Sequence, residues 1–241
     1  MTWQNTLVML HVIIVIVQPI NKMPLNYRSM LTLKYKDLIS GKFNFLVNFF
    51  DFEPGDVFIE ILSLEDFDKF YELERGKKPE FFVVGSALDN GRIIILDKED
   101  FEKKKHKEEE FERVILHELA HMFIRRILWP KQTYPWIEEG VCEYLSFKDY
   151  PLKIKDVVDF NEIKTIEGWR KHYAYQQSKE FFKMLSKKFG DKKTADFIKK
   201  VKRKSEEESF KEVFGKELNK IEEEFKTSLE NEKIASSRNT L

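Results

Sequence analysis

The stretch His117-Glu118-Leu119-Ala120-His121 governs how the rest of the chain is read. Positions four apart on a helix lie one turn above each other on the same face. Two imidazoles at that spacing can grip one metal ion. Glu118, beside the first of them, can reach a water activated by that ion and act as general base. Val114-Ile115-Leu116 before the stretch and Met122-Phe123-Ile124 after it are apolar, as expected for a helix buried in a domain core. The competing reading is a core helix with two incidental histidines. The chain has only five histidines, which disfavours chance placement at this spacing.

A second segment strengthens the metal reading. It runs Trp136-Ile137-Glu138-Glu139-Gly140-Val141-Cys142-Glu143-Tyr144. Catalytic zinc takes three protein ligands and keeps one open position. Glu139 can supply the third ligand, and Gly140 leaves room for the helix to lie close to the metal. Glu143 lies four residues after Glu139, so the two carboxylates share a face. One can bind the ion while the other accepts a hydrogen bond from the far nitrogen of a ligand histidine, which fixes the ring. Glu138 is the alternative ligand if the register differs, but no glycine follows it directly. The lone cysteine, Cys142, excludes a disulfide within the chain. It reads as a small buried residue, since a nucleophile beside a complete three-ligand site is not needed.

These two segments together resemble the gluzincin zinc metallopeptidases. The chain is most similar to their aminopeptidase-like branch, whose third ligand is the Glu of a Trp-x-x-Glu-Gly segment. The resemblance implies His117, His121 and Glu139 as ligands of one zinc ion, Glu118 as general base, and Glu143 as the acid one turn after the third ligand. Seventeen residues separate His121 from Glu139, one fewer than is usual in that branch. A loop around Trp129-Pro130 can absorb the difference.

The resemblance extends to Tyr173-Ala174-Tyr175-Gln176-Gln177-Ser178. Ser178, Phe181, Phe182, Leu185 and Phe189 recur at helical spacing and predict one buried stripe. Tyr175 stands one turn before Ser178, where the aminopeptidase branch carries the tyrosine that donates to the oxyanion. Tyr173 and His172 compete for that role. The implied fold is α+β: a small N-terminal sheet over the zinc-binding helix, then a helical C-terminal part. The implied reaction is zinc-dependent peptide hydrolysis on a peptide or protein substrate. Two alternatives stay open: a zinc hydrolase of a non-peptide amide or ester, and a non-catalytic scaffold that keeps zinc for stability. In the family an edge strand binds substrate backbone, which points to Arg92 and to Gly85 and Ala87 nearby. The Gly-x-Met-Glu-Asn segment that anchors a free amine in aminopeptidases is absent here; Gly85-Ser86-Ala87-Leu88-Asp89-Asn90 has no Glu.

Composition agrees with a globular enzyme. Lys plus Arg and Asp plus Glu both number 42, so the formal net charge is zero, which argues against a nucleic-acid partner. Lys103-Lys104-Lys105-His106-Lys107 precedes Glu108-Glu109-Glu110 and reads as a solvated helix face with paired charges. With 42% hydrophobic residues and 22 Phe, a substantial core is expected.

Domain organisation reads as a hydrophobic leader over 1–30, a zincin-like domain over 31–230 and a polar, disordered tail over 231–241. Residues 7–17 are almost continuously apolar but too short to span a bilayer comfortably. They read as a leader or an artefact of a start upstream of Met23 or Met30, as an anchor that would allow membrane association, or as a core strand. A cytoplasmic location is favoured, with a secreted or anchored one open.

Further on, residues 31–48 suggest helix with a break at Gly41. Strands are expected at 56–62, at Phe81-Phe82-Val83-Val84 and at Arg92–Leu96, and a short helix at 63–71. Helices follow over about 99–128, 137–147, 172–189, 192–204 and 210–228, with Ser209-x-x-Glu212 as a capping box for the last. Strands first and helices afterwards predict the α+β class.

Overall fold

The computed structural model describes residues 25–27, 30–88, 91–132, 134–147, 157–172 and 174–238. The chain divides into two compact units, one of residues 1–40 and 55–108, the other of residues 41–54 and 109–241. Residues 7–17 lie outside the described residues. Among the described residues no helix is long and apolar enough to cross a membrane.

The first unit carries the sheet. Its elements are β1 (Leu25–Tyr27), α1 (Met30–Lys34), the start of α2 (Lys36–Phe50), β2 (Val57–Leu62), α3 (Leu64–Arg75), β3 (Gly85–Ala87) and β4 (Arg92–Leu96). The strand order is β1-β2-β4-β3. β1 and β4 pair parallel to β2, and β3 pairs antiparallel to β4. In β2 the residues Val57, Ile59 and Ile61 are buried while their neighbours are half-buried, the two-residue period of a strand with one face in a core. In β4 Ile93, Ile94, Ile95 and Leu96 are all buried, as in a strand covered on both faces. Ser63 caps α3 by accepting from the Asp66 N–H. The Ile61 N–H donates to Thr32 Oγ1 at 2.8 Å, and Tyr35 donates to Asp97 at 2.8 Å. These bonds tie α1 and its following turn to the sheet.

Several expectations shift here. The third strand is Gly85–Ala87, not the Phe81-Phe82-Val83-Val84 run. Phe81 and Phe82 form a turn and are 62% and 50% exposed, so their β propensity loses to the pairing available further on. The first helical stretch breaks at Tyr35 and passes through Gly41 unbroken. Residues 98–110 hold two short 3-10 turns, with Lys105 at φ 61 between them. Lys104 is buried and paired with Asp68 at 2.6 Å, so that part of the basic run is not a solvated face.

The second unit is helical among the described residues. It holds the rest of α2, then α4 (Phe111–Leu128), α5 (Pro135–Phe147), α6 (Ile166–Lys171), α7 (Tyr175–Phe189), α8 (Asp191–Val201), α9 (Glu206–Phe214) and α10 (Leu218–Arg238). The α+β order expected from the sequence is therefore the observed one. Phe43 and Phe50 pack on Phe123 of α4. Trp136, Phe160, Phe181, Phe182, Phe210 and Phe225 form the aromatic interior, with centroids as close as 4.7 Å. The capping box is Ser205 with Glu208, one turn earlier than expected. The Ser-x-x-Glu pattern occurs twice in succession, and Ser209 is buried inside α9, its hydroxyl without a hydrogen-bond partner. Gly215, at φ 72, separates α9 from α10, and α10 continues through the expected tail to Arg238.

Candidate metal centre

Helix α4 is buried almost all round, with thirteen of its eighteen residues in the interior. A charged or polar group on such a helix needs a partner. The four-residue spacing lines up His117, His121 and Arg125 in one row, each a turn above the last. Helix α5 packs against α4 and begins at Pro135, whose fixed φ and missing N–H suit a first helical position. Its first turns then present Glu138 and Glu139 to the histidine row.

Three side-chain atoms converge. The Nε2 atoms of His117 and His121 lie 3.1 Å apart. Glu139 Oε2 is 3.5 Å from the first and 3.4 Å from the second. Ligand atoms about 2.0–2.1 Å from a tetrahedral ion are separated by roughly 3.3 Å, close to all three edges of this triangle. His117, His121 and Glu139 are the group among the described residues that could hold a metal ion.

The hydrogen bonds behind the triangle agree. His121 Nδ1 lies 2.8 Å from Glu138 Oε1. A carboxylate only accepts, so Nδ1 carries the hydrogen and Nε2 of the neutral ring offers its lone pair. Ser146 donates to the Cys142 carbonyl at 2.5 Å, leaving its oxygen to accept from His117 Nδ1 at 3.4 Å. Both Nε2 lone pairs and a carboxylate oxygen thus point at one another. A cation satisfies that arrangement, and the residues present fit a zinc ion.

Electrostatics point the same way. Burial disfavours a charged His117 ring, but the hydrogen bond with Glu139 and the nearby Glu143 and Glu118 raise its pKa. At His121 burial is again opposed, by Cys142, Glu139 and Glu138. Burial pushes the Cys142 thiol up to about 12, so at pH 7 it is a neutral thiol. Burial would raise Glu139, yet the two histidines hold it well below the usual carboxylate range. Burial, helped by Glu139 and opposed by His117, raises Glu143. Glu118 is buried on the same helix, 9% exposed.

Two expected roles change. The acid hydrogen-bonded to a histidine of the triangle is Glu138, on His121. Glu143 Oε1 stands 3.7 Å from His117 Nδ1, beyond a direct hydrogen bond. Gly140 makes room for α7 rather than for the metal. A Cβ at that position would sit 2.8 Å from both Phe182 Cδ2 and Ser178 Cβ. Ser178, Phe181, Phe182 and Leu185 form the expected buried stripe of α7, with Phe189 half-buried.

Tyr175 opens α7, 37% exposed, with its ring on Trp169 at 3.7 Å between centroids. Ser178 lies one turn further along and accepts from the Trp169 indole at 3.4 Å. His172 is 3.7 Å from Glu162, and Tyr173 lies outside the described residues. Gly85 and Ala87 belong to β3 of the other unit. Arg92 in β4 is engaged by Glu60 at 2.9 Å, by Glu74 at 3.2 Å and by the Phe70 ring. Sequence reasoning did not single out Arg125, whose Nε donates to Glu138 Oε1 at 2.8 Å. Its signal was the continuation of the histidine spacing by four more residues. Lys179, fully buried beside Ser178, was also missed. Burial lowers its pKa, and Glu180 stands 3.5 Å away.

Residues 82–225, well over half of the 241, match the family described as "Peptidase of plants and bacteria". No curated protein and no solved structure matches the chain.

Proposed function

The chain belongs to this peptidase family of plants and bacteria, and from that premise we propose that it is a zinc metallopeptidase of the gluzincin type. The observation that carries the reading is the triangle of His117 Nε2, His121 Nε2 and Glu139 Oε2, with edges of 3.1–3.5 Å, inside the matched segment. These three residues hold one zinc ion per chain. When bound, zinc supplies a Lewis acid that brings the pKa of water from about 15.7 towards roughly 7 and polarises a carbonyl.

The remaining roles belong to the chain. Glu118 accepts the proton of the attacking water and later delivers it to the leaving amine, a contribution of about 10²–10⁴ in rate. Its place next to His117 on a buried helix supports that role. Tyr175 donates its hydroxyl to the oxyanion that forms at the attacked carbonyl. The close approach of Ser178 to Gly140 supports this role, because Gly140 follows the ligand Glu139 and Tyr175 begins the same stripe of α7. Glu138 holds His121 in the tautomer that leaves Nε2 free. The family description favours a peptide bond over other amides and esters.

The test combines metal analysis with cleavage of unstructured peptides. Wild type is expected to carry one zinc and to cleave. Glu118→Gln is expected to keep the zinc and lose cleavage, since an amide cannot take the proton. Equal cleavage by both proteins would overturn the mechanism, and zinc-loaded wild type that cleaves nothing would favour the scaffold.

A further inference from the structure

We infer that Arg125 and Glu138 form a positioning pair that fixes the orientation of His121 and reserves the metal position for Glu139. This rests on the metal site proposed above. One oxygen, Glu138 Oε1, lies 2.8 Å from Arg125 Nε and 2.8 Å from His121 Nδ1. Two consecutive glutamates lie in the first turns of α5, and both reach the histidine row of α4. Without a counter-charge, either could turn towards the Nε2 atoms, and each would repel the other.

Arg125 resolves the choice. It lies one turn past His121 on the same row, so its guanidinium meets the acid on the Nδ1 side of the ring. The Nε–H donates in a fixed plane. That bond holds the Glu138 carboxylate on the Nδ1 side, away from the Nε2 side that Glu139 faces. The Arg125 side chain is 35% exposed and that of Glu138 20%, so the pair forms the border between the buried donors and water. The arginine acts through Glu138 and His121 and not on substrate. It is a positioning residue, and a carboxylate partner of a ligand histidine typically carries about 10–100-fold in metal affinity.

The experiment measures zinc affinity by chelator competition for wild type, Arg125→Met, Arg125→Lys, Glu138→Gln and the double variant Arg125→Met with Glu138→Gln. Circular dichroism checks that each metal-free variant is folded, and the visible spectrum of the cobalt-substituted proteins reports ligand geometry. Arg125→Met and Glu138→Gln are expected each to weaken zinc binding about 10–100-fold. The double variant should lose no more than the worse single one, because the two residues act as one unit. Arg125→Lys keeps the charge without the planar Nε–H donor and should fall between. The cobalt spectrum of Arg125→Met should differ from wild type, which simple loss of stability would not produce. If Arg125→Met does not fold, Arg125→Lys and Glu138→Gln carry the same test. Wild-type affinity and spectrum in the folded Arg125 variants would overturn the pair while leaving the metal site standing. Absence of zinc binding by wild type would overturn both.

Discussion

Helix α5 meets its two neighbours in opposite ways. Towards α4 it presents Glu138, Glu139, Cys142, Glu143 and Ser146, which engage the histidine row at 2.5–3.7 Å or bond among themselves. Towards α7 it presents Trp136 and Gly140, which meet Phe181, Phe182 and Ser178. The first face is held by charge and hydrogen bonding. Its acids Glu138 and Glu139 keep 20% and 25% of their side-chain surface exposed, so water can partly replace a lost partner. The second face is held by shape, with Trp136 and Phe182 fully buried, and nothing there can stand in for a misfit atom. Changes on the first face should therefore remove chemistry and spare the fold, and changes on the second should do the reverse.

The largest expected effect belongs to the α4 side of this contrast. Glu118→Gln should lower turnover by about 10²–10⁴ with zinc content and melting temperature near wild type. A matching fall in melting temperature would show that the carboxylate is a structural group, and the contrast would fail there. Tyr175→Phe follows, with turnover reduced by about 10²–10³ and zinc content unchanged. If Tyr173→Phe or His172→Ala carries that loss instead, the oxyanion donor belongs to another residue.

Gly140→Ala tests the shape-held face. The added methyl meets Ser178 Cβ as well as the Phe182 ring at 2.8–2.9 Å, and Ser178 Cβ has no freedom to swing away. Overpacking of this kind costs about 1–3 kcal/mol. Urea denaturation should show that loss, while the folded fraction retains stoichiometric zinc. An unchanged midpoint would mean that α5 and α7 can separate at no cost.

The smallest effect involves a buried acid outside the histidine row. Glu222 in α10 is 9% exposed, and burial, helped by Asp159, raises its pKa from 4.5 to about 7. Between those values the folded chain binds more protons here than the unfolded chain does. Stability from this group is therefore present below about pH 4.5 and is lost as pH rises through about 7. Glu222→Gln should flatten that part of the stability profile, most visibly as added stability at pH 8 relative to pH 5. Parallel profiles for the two proteins would show that the group titrates normally. The comparison then sharpens: burial without a histidine partner raises the Glu222 carboxyl, whereas burial beside two histidines leaves Glu139 lowered.

Much of this was legible along the chain because it depends on spacing alone. Residues four apart on a helix must share a face, so His117 and His121 were paired before any fold was known. The β-forming residues of Val57–Leu62 and the apolar run of Arg92–Leu96 carry their own strand signals, and from Glu99 onward helices follow the strands. The Phe and Trp positions of α7 and α5 announce a buried stripe by period. What spacing could not decide is the rotation of one helix against another. Neighbouring residues of α5 differ by about 100° in direction, so whether Glu138 or Glu143 bonds a histidine depends on how α5 is turned towards α4. The same rotation turned Gly140 to α7 instead of the donor triangle and brought Arg125 within 2.8 Å of Glu138. Competing local signals needed the tertiary structure as well. Two Ser-x-x-Glu patterns stand in succession, and the burial of Ser209 inside α9 leaves the cap to Ser205. The sequence by itself determined that His117 and His121 share one helix face and that strands give way to helices along the chain, since periodicity is a property of each element alone. Tertiary packing decided which acid supports which histidine, because that contact is made between elements.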